Sequence, residues 1–134
     1  MSELQIVLYI LDISLQHNES FPLSIIQYYN DSLKQNHVLE MNLSDLFLLL
    51  LLIKSEKHRE MALKIISKLF AMATSNSFDA ALALMMKMIS FQGIEMQSNL
   101  ILKLALYLCE KQQPQKVRTL GHVTLIEVRI IPLL

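Results

Sequence analysis

The sequence predicts an all-α fold, with about six antiparallel helices joined as helical hairpins over residues 1–113 and an irregular or strand-like tail over 114–134. Three observations carry this prediction. Leu46 to Ile53 is a run of eight consecutive apolar residues, bounded by Asp45 and Lys54. Around it, apolar residues recur at helical rather than strand spacing; Ile25, Ile26, Tyr29 and Leu33 form an i, i+1, i+4, i+8 stripe with Ser24, Gln27, Asp31 and Lys34 opposite. Finally, the chain holds only 2 glycines and 3 prolines, and they fall where elements begin or end.

Taken in order, Ser2 caps a first helix running to about His17, with Glu3 in the first turn where the helix dipole favours an anion. Leu4, Ile6, Val7, Leu8, Ile10, Leu11 and Leu15 cover most of its circumference, leaving Gln5, Asp12 and Gln16 on a narrow polar stripe. Asn18-Glu19-Ser20 is a turn, and Pro22 opens the second helix, where its missing N–H has no helical partner to lose. A connection over Asn36–Met41 leads to Asn42 and Asp45, a variant capping box that starts the central helix at Leu43. Ser55 and Glu56 mark a break and a new start. The fourth helix then runs to Ala73, with Met61, Ala62, Ile65, Ile66 and Leu69 inward and Lys57, Glu60, Lys64 and Lys68 outward.

Ser77 and Asp79 begin a fifth helix that Gly93 ends, and a sixth runs from Glu95 to Lys111, where Gln112-Gln113-Pro114 stops it. From Gly121 the character changes. Thr124, Ile126, Val128 and Ile130 alternate against Leu125, Glu127, Arg129 and Ile131, which is a strand pattern with no second strand to pair with it. Deleting Gly121 to Leu134 is therefore expected to leave the helices intact.

The central run raises the question of a membrane span. A spanning helix needs about 20 apolar residues, whereas this run is eight long and is followed by seven polar residues, Lys54 to Glu60. It reads as a buried inner helix.

Helix pairs starting about 35 to 41 residues apart resemble tetratricopeptide-like and HEAT-like helical repeats. The resemblance lies in the interval and in Pro22 opening a helix. The tetratricopeptide Trp and Leu-Gly pair are absent, since the chain has no Trp and no glycine before Gly93. It implies an α-solenoid segment, with a closed helical bundle as the alternative. The first, third, fifth and sixth helices are apolar on more than one side, as inner helices of a stacked array are. Leu100 to Leu108 lacks the polar outer face of a terminal cap, so the chain reads as a fragment or alternative form, or as one that dimerises through the 95–111 helix.

Hydrophobic residues make up 53% of the chain and charged residues 18%, with 12 of each sign. That balance provides no net field for nucleic acid. Cys109 is the only cysteine and excludes an intramolecular disulfide. With no basic segment of a secretory signal at Met1-Ser2-Glu3, an intracellular location, cytoplasmic or nuclear, is expected. The Asn-x-Ser matches at Asn18, Asn30 and Asn42 then read as helix-boundary residues.

No catalytic, cofactor-binding or metal-ligating set is predicted. His17, His37, His58 and His122 lie in separate segments and read as solvated, and Cys109 has no neighbouring His or Asp in sequence. Met61, Met72, Met85, Met86, Met88 and Met96 read as core filler. Phe21, Pro22, Tyr28 and Tyr29 read as packing, and Lys57, Lys64 and Lys68 as a solvated face. The expected function is a noncatalytic protein–protein interaction scaffold without cofactor. Its partner is another protein, the rest of a longer array or a second copy. The alternative is a peripheral membrane protein using apolar helices at an interface.

Overall fold

The computed structural model describes residues 3–17, 20–34, 43–90 and 97–130, and over them all regular structure is helical. Seven helices follow in order among the described residues: α1 (Glu3–His17), α2 (Ser20–Lys34), α3 (Leu43–Ile53), α4 (Arg59–Asn76), α5 (Phe78–Ser90), α6 (Gln97–Leu108) and α7 (Gln115–Ile130). The expected turn at Asn18-Glu19, the connection 36–41, the Asn42 cap, Gly93 and the start at Glu95 lie outside the described residues.

Helix α3 is where the all-round apolarity of its sequence placed it. Leu46, Phe47 and Leu49 to Ile53 are all buried, and the helix packs against α1, α4, α5 and α6. The break after it is real, but its cap is not Ser55. Lys54 and Ser55 donate back to the carbonyls of Leu51 and Leu52, His58 donates to Ser55, and α4 begins at Arg59. The Arg59 guanidinium closes this turn, its Nε donating to the Ile53 carbonyl at 2.8 Å.

Helix α4, the longest at 18 residues, contacts α2, α3, α5, α6 and α7. Its inward face carries Ala62, Leu63, Ile65, Ile66, Leu69 and Phe70, while the buried hydroxyls of Ser67 and Thr74 donate to the carbonyls of Lys64 and Phe70. Each buried polar group thus has an acceptor within its own helix, which removes the desolvation cost of burial. Ser77 joins α4 to α5 in extended conformation. Its N–H donates to Ala73 and its Oγ accepts from the Ala80 N–H, so one residue closes one helix and caps the next.

The strand-like tail is corrected: residues 115–130 are helix α7. Over this longer window the buried residues are Val117, Leu120, Gly121 and Thr124, with Val128 packed behind them, which is a 3.6-residue stripe. Reading from Gly121 cut that stripe in half and left the β-branched residues looking like an alternating strand. Thr119 and Thr124 are compatible with a helix because each hydroxyl donates to the carbonyl four residues back, Gln115 and Leu120. Pro114 also does more than stop α6. Its carbonyl accepts from the Arg118 N–H, so it opens α7.

Gly121 lets the two helices meet. A Cβ there would lie 2.9 Å from both the carbonyl carbon and the Cβ of Leu108, closer than packed atoms approach. Helix α7 packs along α6, which also meets α3 and α4, and within this packing Leu100, Ile101, Leu104 and Leu108 are buried. Within the 95–111 helix, Leu106 is a large apolar residue exposed among the described ones.

Candidate functional site

A stripe of uncovered apolar side chains lies on α1. Ile6, Tyr9, Ile10 and Ile13 are 45%, 64%, 56% and 40% exposed. Their i, i+3, i+4, i+7 spacing puts them on one face. The opposite face is engaged, with Leu11 and Leu15 packed against the core. Helix α1 is therefore apolar on two sides with cover on one.

Polar contacts fix how this helix is presented. Lys54 Nζ, just past the end of α3, donates to both Asp12 carboxylate oxygens at 3.0 Å, with the two side chains only 18% and 25% exposed. Partial burial shields this pair from solvent and salt more than a fully exposed one. At the start of α3, the Tyr29 hydroxyl of α2 donates to Asp45 Oδ1. Burial, reinforced by that carboxylate, pushes the Tyr29 phenol far above its ordinary range, so it stays a protonated donor. Tyr28 stacks edge-on against it, ring centroids 5.1 Å apart, and is itself 60% exposed.

The residues weighed in the sequence separate clearly. Met85 and Met88 are buried core, Met72 and Met86 are partly buried, and Met61 is exposed; Met96 and His37 lie outside the described residues. Tyr29 packs inward and Pro22 is buried, while Lys64 and Lys68 are exposed on α4 and Lys57 is exposed in the turn before it. His17 and His122 are exposed as expected. His58 is not: it is buried at the N-cap of α4.

The structure also makes one pairing that sequence separation concealed. Cys109 Sγ lies 3.7 Å from His122 Nδ1, because Gly121 draws α7 onto the end of α6. Burial pushes the Cys109 thiol above its ordinary value, the opposite of what an activated nucleophile requires. Among the described residues no group of three or more His, Cys, Asp or Glu side chains is placed to hold a metal ion. Nor, among them, is any helix long and apolar enough to cross a membrane.

No known protein family, curated protein or solved structure matches the chain.

Proposed function

We propose that this chain is a noncatalytic interaction scaffold, a segment of helical-repeat type, that presents the outer face of α1 to a partner protein. The exposed stripe Ile6, Tyr9, Ile10 and Ile13 is the observation that carries the reading. Support for the repeat character comes from spacing and packing. Alternate helices start 35 to 40 residues apart throughout, α7 included. The middle helices α3 and α4 each touch four or five others, while α1 packs against α2 and α3. An outermost helix with two apolar sides is what a stacked array has where its next neighbour belongs.

Magnitudes set the expected strength. The stripe offers on the order of 400 Å² of apolar surface, within the range at which a patch is often functional. Covering it contributes about 10 kcal/mol before association costs of similar size. A partner contacting the stripe alone therefore binds weakly, and tight binding requires added contacts along the flanking polar edge.

A photocrosslinking residue in place of Tyr9 tests this directly. A discrete protein adduct, abolished by Ile10→Asp in a chain of unchanged helix content, is the expected result. Tyr9 set among isoleucines also suits a lipid interface, which is the second reading. Salt-independent flotation with neutral phosphatidylcholine vesicles, lost on Ile10→Asp, would overturn the scaffold proposal in its favour.

A further inference from the structure

A cavity of about 180 Å³ lies where the end of α1, the first turn of α2 and the end of α3 meet the connection into α4. Its apolar wall is Leu15, Pro22, Leu51 and Leu52, and its polar side is Ser55, Lys57 and His58. Cavities of about 150 Å³ accept a body the size of benzene. So the space suits one aromatic ring or a branched chain of similar bulk.

His58 makes this more than a surface dimple. It is only 7% exposed, yet its ring caps no backbone N–H and has no hydrogen-bond partner among the described residues. An N-cap position is normally filled by Ser, Thr, Asp or Asn, whose side chains bond the helix end. Here that role goes unfilled and the imidazole instead helps to line the cavity.

The polar side also specifies the sign of a ligand. Lys57 is the sole charged residue lining the cavity. The cavity borders the amino end of α4, which favours negative charge. Nearby charges do not cancel this. Asp12 is paired with Lys54, Arg59 is turned to the Ile53 carbonyl, and Glu56 and Glu60 are exposed and outside the lining. A fully hydrated inorganic anion gains nothing from four apolar walls, whereas a carboxylate carrying a small apolar body uses both sides.

We propose that this cavity is a binding site for a small apolar monocarboxylate, its carboxylate on His58, Ser55 and Lys57 and its body against Leu15, Pro22, Leu51 and Leu52. The site is independent of the outer face of α1, so either proposal can fail without the other.

Benzoate is the probe, titrated into the full chain and followed by NMR of the Leu methyl groups and the histidine ring protons. The expected result is saturable shifts at Leu15, Leu51, Leu52 and His58, with a Kd on the order of 1 mM or below for so small a ligand. Benzyl alcohol and inorganic phosphate should each bind at least tenfold more weakly. Lys57→Gln, an exposed substitution that leaves packing untouched, should weaken benzoate about threefold or more, and His58→Phe tenfold or more. Equal affinity for benzyl alcohol, equal affinity for phosphate, or no saturation by 20 mM (an upper limit of roughly twenty times the expected Kd) would each overturn the assignment. So would benzoate binding unchanged in Lys57→Gln, which keeps the test decisive if His58→Phe does not fold.

Discussion

Gly121→Ala offers the sharpest test of the packing between the last two helices. On an exposed helix this substitution stabilises by about 0.5–1 kcal/mol, because alanine loses less backbone freedom on folding. At Gly121 the new Cβ would meet the Leu108 carbonyl carbon and Cβ at 2.9 Å and the Cys109 nitrogen at 3.0 Å. None of these is the free end of a flexible side chain, so relief requires α7 to move off α6. Overpacking of that kind costs about 1–3 kcal/mol, which exceeds the propensity gain and leaves a net loss of about 0.5–2 kcal/mol. For a chain of this length each kcal/mol corresponds to about 3–5 °C in Tm. Thermal melts followed at 222 nm should therefore drop by roughly 2–10 °C, and Lys116→Ala, exposed one turn earlier, should barely move. A Tm that rises on Gly121→Ala would refute the close approach, and with it the account of how α7 covers α6.

Three further outcomes follow from the same packing. Ending the chain at Leu120 removes buried Thr124 and partly buried Val128 and uncovers part of α6. The cooperative melt should then broaden or vanish in calorimetry, whereas an independent tail would leave it unchanged. A double-mutant cycle on Asp12→Asn and Lys54→Met should give a coupling near 1 kcal/mol, since both side chains are less than a third exposed; coupling within error of zero would remove the pair as an anchor of α1. Tyr29→Phe should cost about 1.5–3 kcal/mol for loss of a hydrogen bond to a carboxylate. Because the folded phenol is raised above its ordinary value of 10, the unfolded chain releases that proton first, and stability falls as pH rises beyond 10. Denaturant midpoints measured from pH 8 to 11 (the flanks of that value) should show a shallower alkaline decline in Tyr29→Phe. Cys109 and Tyr107, both raised by burial, contribute to the decline that remains.

Most of the helical plan was legible because its signals were local. Leu46 to Ile53 demanded cover on every side and received it from four helices. The stripe Ile25, Ile26 and Tyr29 faces inward as its period required, and Ser77 caps α5 through the hydrogen bond its position suggested. Periodicity and capping depend on residues within a turn or two of one another, so the sequence displays them directly.

What was not legible depends on contacts between distant segments. Val117 and Leu120 belong to the same stripe as Thr124, but Pro114 and Gly121 flank them and each looks like a boundary in one dimension. Only the approach of Leu108 shows that Gly121 is a contact point rather than a stop. The same approach brings His122 to Cys109, and the packing of α1, α2 and α3 around the α4 start buries His58, a residue that a polar run from Lys54 to Glu60 made look solvated. These corrections share a consequence. The apolar excess of the sequence is real, but α7 packs along α6, and among the described residues the exposed large apolar side chains that share one helix face as a four-residue stripe are those of α1. A helix apolar all round can be central, as α3 is, or outermost, as α1 is. The two differ in what surrounds them, and Ile6, Tyr9, Ile10 and Ile13 are exposed because nothing among the described residues packs on that face.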